Sequence, residues 1–182
     1  MPQRVTKVRV FIASPCDVQK ERDSLDNVVR ELNGTYGPTF GLVIELVRWE
    51  THCRPAMGRP QAVINEQIGE YDVFVGIMWN RFGGPTGEAE SGTAEEFGLA
   101  LERWRRDKRP HISFYFSQAK SSLNSPAELE QRRKVLEFKD NLKDKAIIWD
   151  YSDSGAFPDT VRPHLSRSWL KCLFRSLLNL RE

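Results

Sequence analysis

Residues Val73 to Trp79 read Val-Phe-Val-Gly-Ile-Met-Trp, seven positions without a polar side chain. A strand with one wet face alternates apolar and polar residues. A strand that does not alternate is covered on both faces, as the central strands of parallel sheets are. Parallel neighbours need crossovers long enough to hold a helix. This run therefore predicts a sheet with helices on both sides, and the rest of the chain follows suit. Val5–Ala13, Leu42–Trp49, Asp72–Trp79, Pro110–Phe116 and Ala146–Tyr151 read as strands. Val18–Leu32, Gln61–Ile68, Thr93–Arg106, Pro126–Leu142 and Thr160–Leu180 read as helices, the last with Leu165, Trp169, Cys172, Leu173, Leu177 and Leu178 as its apolar stripe. Strictly alternating segments predict an α/β fold, all strands parallel, crossovers right-handed. Five strands suit the order 2-1-3-4-5. Asp17 reads as the cap of the first helix and Asn33-Gly34 as its end.

At 182 residues the chain fits a single domain, taken as 1–182, with enough length to bury a core. Its 27 basic and 25 acidic residues leave a net charge of +2, too balanced to make nucleic acid or an anionic membrane the main partner. No apolar run reaches the roughly 18 residues of a membrane span. The N-terminal segment lacks the apolar stretch of a secretory signal. Cys16, Cys53 and Cys172 are scattered and odd in number, which reads as reduced thiols in a cytoplasmic protein. His52, His111 and His164 show no metal-ligand spacing, and no metal is expected. The signatures GxxxxGK[ST], GxGxxG and GxSxG are all missing.

In the order 2-1-3-4-5, strands one and three are neighbours, and a crevice opens between their carboxyl ends. Ser14, Cys16 and Asp17 follow strand one, and Trp49 and Glu50 end strand two. Trp79, Asn80, Arg81 and Phe82 follow strand three and lead to Ser91, Thr93 and Glu96. Rings stack on Trp or Phe, Arg pairs with phosphate, and carboxylates accept ribose hydroxyls, so the set suits a nucleotide. Glu96 stands on the first turns of a helix whose N–H groups face an anionic ligand. A carboxylate there can stabilise an oxocarbenium ion or attack a sugar carbon. Each element also has a plainer reading. Thr93 or Ser91 reads as the helix N-cap, and Thr93-Ala94-Glu95-Glu96 fits the capping pattern [ST]-x-x-[DE]. Glu95 reads as a solvated carboxylate, Arg22 as the helix-surface partner of Asp26, and Phe82 and Trp79 as core plugs. The cluster Arg103, Arg105, Arg106, Lys108 and Arg109 reads as compensation of a helix dipole.

Three of these motifs in order resemble the TIR-like domains of NTPase-type immune receptors. They are Val10-Phe11-Ile12-Ala13-Ser14 with Asp17 and Glu21-Arg22, then Tyr71 to Ile77 with Trp79-Asn80-Arg81-Phe82-Gly83, then Ser91-Gly92-Thr93 to Glu96-Phe97. The likeness covers roughly residues 8–116. Glu96-Phe97-Gly98-Leu99-Ala100 also resembles the Glu-x-Gly-x-Ala of nucleoside 2-deoxyribosyltransferases. Both families use a flavodoxin-like sheet and a glutamate to cut a base from a sugar. The resemblance implies a flavodoxin-like domain that cleaves NAD+ as substrate, without a cofactor, and that self-associates. It implies Glu96 as the catalytic group and Ser14, Asp17, Trp49, Trp79, Arg81, Phe82, Ser91 and Thr93 around the substrate. It also implies an effector module of a bacterial antiphage or immune protein, which can be part of a longer chain. A non-catalytic assembly module and a nucleoside or nucleotide N-glycosyl hydrolase or transferase are the alternatives.

Overall fold

The computed structural model describes residues 5–143 and 145–179, with side-chain burial described as far as residue 172. Five parallel strands form one sheet in the order β2-β1-β3-β4-β5. They are β1 (Thr6–Ala13), β2 (Leu42–Val47), β3 (Val73–Met78), β4 (His111–Ser117) and β5 (Ile148–Tyr151). The helices are α1 (Gln19–Phe40), α2 (Trp49–His52), α3 (Pro60–Ile68), α4 (Gly92–Asp107), α5 (Pro126–Lys143) and α6 (Phe157–Asn179). β3 is central and buried at every position. It pairs with β1 through Val10↔Val73 and with β4 through Val73↔His111.

Side-chain alternation along the strands feeds two cores. Val8, Val10, Ile12, Val75, Ile77 and Tyr115 face Leu25, Val28 and Leu32 of α1 and Phe157, Val161, Leu165 and Trp169 of α6. Phe11, Ala13, Phe74, Met78, Phe114 and Phe116 face Ile68 of α3, Phe97 and Ala100 of α4, and Val135 and Leu142 of α5. Helices thus cover both faces, which is the flavodoxin-like arrangement. Of the α6 stripe, Leu165 and Trp169 are buried and Cys172 packs against the core; the side chains of Leu173, Leu177 and Leu178, and Leu180 itself, lie outside the described residues.

Two expectations about α1 are corrected. Asn33-Gly34 does not end it. The Asn33 amide instead clips β2, donating from Nδ2 to the Ile44 carbonyl at 2.9 Å and accepting the Ile44 N–H at 2.8 Å. Paired in this way, the residue that usually competes with helix serves tertiary structure. The helix runs on to Gly41, whose φ of 62° supplies the left-handed cap, its N–H bonded to the Gly37 carbonyl at 2.8 Å. Nor does Asp17 cap α1. It sits in a 3-10 turn (Cys16–Val18), and its carboxylate is used elsewhere. β2 also stops at Val47, and Trp49 and Glu50 begin a short helix instead of ending the strand.

Candidate functional site

α4 begins at the carboxyl edge because Ser91, fully buried, caps it by accepting the Ala94 N–H at 3.2 Å. Ser91 therefore takes the capping role, and the Thr93–Glu96 capping box does not form. Thr93 is buried in the first turn. Glu95 and Glu96 follow, and the structure treats them oppositely.

Glu95 is not solvated; its side chain is 9% exposed. Arg59 donates to both its oxygens, at 2.8 and 2.7 Å, Asn65 donates to Oε1 at 3.0 Å, and the Thr86 hydroxyl donates to Oε2. The Arg59 hydrogen bonds, foremost, hold this carboxyl below the usual range. The bidentate fork joins the loop before α3 to the start of α4.

Glu96 is 8% exposed and receives one hydrogen bond, from Gln61 Nε2 to Oε1 at 2.9 Å. It makes no ion pair among the described residues. Arg59 is engaged with Glu95 and Arg22 with Glu50. Burial dominates and pushes the Glu96 carboxyl up to about 8; the charges of Glu95 and Glu50 add to the rise, and the Gln61 bond and Arg22 oppose it. Burial first, then the charges of Glu50 and of Glu96 itself, push the Cys53 thiol up. Gln61 is pressed against the start of α4: a Cβ at Gly92 would lie 2.6 Å from its Oε1.

Glu96 lines a groove of about 420 Å³ with Asn65, Tyr71, Leu99, Glu102 and Arg103, the Arg103 guanidinium lying 4.7 Å from the Tyr71 ring centre. A second cavity, about 480 Å³, is lined by Asp17, Trp79, Asn80, Arg81, Ser121 and Gln131, among others. Asp17 Oδ2 accepts the N–H groups of Asn80 and Arg81, at 2.9 Å each, and so fixes the loop after β3. Its Oδ1 and the Ser14 hydroxyl are buried without a partner among the described residues.

The expectation that Glu96 shares one cleft with Ser14 and Trp79 is corrected for Trp79: the groove of Glu96 and the cavity of Trp79 have no lining residue in common among those described. Trp79 packs against the α1/α6 core, while Glu96 rides on the helix that packs on the opposite face. Consecutive strand residues point to opposite faces, so Met78 and Trp79 part at the end of β3, and Trp79 joins the α1 and α6 side while α4 packs on the other. Phe82 is a core plug, 4% exposed, with its ring 5.6 Å from Phe138. Trp49 stands exposed on α2, available for stacking. Arg22 does not pair with Asp26. It is buried and bound to Glu50, while Asp26 takes Arg48 at 3.0 Å. Sequence reasoning missed Gln61 and Arg59. Gln61 and Arg59 lie 35 and 36 positions from their glutamate partners, and no local period points to such pairs.

The arrangement defines the class first: a doubly wound, all-parallel α/β domain with polar groups gathered at the carboxyl edge of its sheet. More particularly, the family described as "Domain of unknown function (DUF4062)" matches residues 9–166, and the chain belongs to that family. Comparison with curated proteins yields no match.

Proposed function

We propose that the domain is a TIR-like NAD+ glycohydrolase, cutting the N-glycosidic bond to nicotinamide with Glu96 as the group that meets the reacting sugar carbon. The observation that supports this reading is a buried carboxyl with no cation of its own. An unpaired carboxyl in a dry site stays protonated until positive charge arrives beside it. The nicotinamide ribosyl unit is cationic, and the oxocarbenium ion that forms as nicotinamide leaves carries the charge next to the ring oxygen. Either would draw Glu96 into its ionised form. Stabilisation of this kind is strong where the carboxylate is buried and already oriented. Gln61 holds that orientation. In this reading Trp49 stacks on a ring of the substrate and Thr93, beside Glu96 in the first turn of α4, serves its ribose, with water or the substrate's own adenine taking the sugar carbon afterwards. The resemblance of three ordered motifs to TIR-like domains, and of Glu96 to Ala100 to the deoxyribosyltransferase motif, supports the same chemistry. Self-association, a cytoplasmic setting and service in antiphage defence belong to the proposal.

A second reading, a non-catalytic assembly module, draws on the separation of Glu96 from Trp79 and Arg81 into two cavities. Incubation of concentrated protein with NAD+ decides between them. Nicotinamide release that disappears in Glu96→Gln supports the glycohydrolase. An inert wild-type protein, or a fully active Glu96→Gln, overturns it.

A further inference from the structure

The amino edge of the sheet, opposite the end discussed so far, holds a cavity of about 550 Å³. Its walls come from four places. Lys7 opens β1, Lys108 and Arg109 join α4 to β4, His111 opens β4, and Ser168 and Lys171 belong to α6. Four permanent cations face it, against one lining carboxylate, Asp72. Asp72 is occupied, since its Oδ2 accepts the Arg9 N–H at 2.9 Å.

Dipole compensation explains part of this cluster only. Helices of an α/β fold end at the amino edge, so Lys108 and Arg109 do stand at the negative end of α4. Lys171 lies within α6 and Lys7 on a strand, where no helix end calls for a cation. Pairing explains little more. Lys7 meets Glu45 at 2.9 Å, and Lys108 lies over the Trp104 ring at 4.4 Å, whereas Arg109 and Lys171 have no ion-pair partner among the described residues. Ser168 is 4% exposed and lines the same cavity, setting a hydroxyl among the cations. Burial first, then the charges of Lys171 and His164, hold His111 below its ordinary value, as unbalanced positive charge should.

We propose that this cavity is a binding site for a compact polyanion of the polyphosphate class, inorganic or carried on a nucleotide. Several cations spaced around one hollow suit an anion with several negative groups in a chain. The volume falls within the range of small-molecule sites, about 300–1,000 Å³, and a hollow walled from four sides suits a compact chain better than an extended nucleic-acid backbone. Among the described lining residues only His111 carries a ring, so the recognised part is the phosphate chain and not a base. This site is independent of Glu96, and the two readings fail or stand separately.

The test is calorimetric titration of the whole domain with sodium tripolyphosphate at low ionic strength, beside adenosine triphosphate, orthophosphate and a short DNA duplex. Tripolyphosphate should bind one site, more tightly than orthophosphate, and should weaken as ionic strength rises from about 0.01 to about 0.15 M, where screening shortens from about 30 to about 8 Å. Equal affinity for adenosine triphosphate marks the inorganic chain as sufficient; tighter binding marks a nucleotide source. Arg109→Gln and Lys171→Gln should each weaken binding about tenfold, the size of one charge-assisted hydrogen bond. Arg133→Gln, which removes a cation on α5 paired with Glu130 and Glu137, should leave it unchanged. In the wild-type protein, saturating tripolyphosphate should raise the pH midpoint of the His111 ring proton signal. The proposal is overturned if tripolyphosphate does not saturate, if all three variants bind alike, if the His111 midpoint stays put, or if only the duplex binds.

Discussion

Glu96 carries two consequences that share one cause, its burial without a counter-charge. Its ordinary value is 4.5, and the fold pushes it to about 8. Between those values the unfolded chain has released the proton and the folded chain still holds it. Folding stability attributable to this residue is therefore complete below about pH 4.5, falls as pH rises, and is fully lost above about 8. The full effect is of order a few kcal/mol. Glu96→Gln keeps the shape and removes the titration. Its melting temperature should gain on the wild type steadily between pH 5 and 8, and a difference that stays flat with pH would contradict the buried, protonated carboxyl. The same variant should lose about 10²–10³ in the rate of nicotinamide release, as when one well-placed electrostatic group is removed. In the wild type, kcat/KM should climb toward pH about 8, where the free protein's Glu96 ionises.

α4 is the element that presents this residue, and its first turn is where a small change should reach the site. Ser91→Ala removes the only side-chain cap on its N-terminus and should cost about 1 kcal/mol in chemical denaturation. Gly92→Ala tests something different. Alanine at the start of a helix is ordinarily neutral or mildly favourable, but here the new methyl meets the Gln61 amide. Gln61 is a flexible side chain and should swing aside, so stability should change by less than about 1 kcal/mol, while Glu96 loses its one hydrogen bond. Nicotinamide release should drop although the protein melts normally. Unchanged activity would show that Gln61 does not orient Glu96.

At the scale of the whole molecule, one bond ties the first helix to the last strand. The Tyr151 hydroxyl donates to Glu21 Oε1 at 3.0 Å, and both residues are buried. Tyr151→Phe leaves that carboxylate short of a donor and should cost about 1–3 kcal/mol, read from the denaturant midpoint. A negligible change would mean that water replaces the phenol. Tyr151 and Glu21 are 130 residues apart, and this distance marks the boundary between what the chain states locally and what folding decides. Segment type, strand order and the covering of both sheet faces were legible in the sequence, because each follows from hydrophobic period and from the fixed hand of parallel crossovers, properties of neighbouring residues. The helix stop expected at Asn33-Gly34 was misread, because the Asn33 amide finds Ile44 only once β2 is beside it. The candidate glutamate was legible too, as a residue at the start of a helix after a buried strand. Its environment was not. That Glu95 takes the Arg59 fork, that Arg22 goes to Glu50, and that Glu96 is left buried with one amide for company are outcomes of competition among charges brought together by tertiary structure. The sheet likewise separated Glu96 from Trp79, since Trp79 joins the core under α1 and α6 while α4, which carries Glu96, packs on the other face, and only the packed helices determine which face each joins.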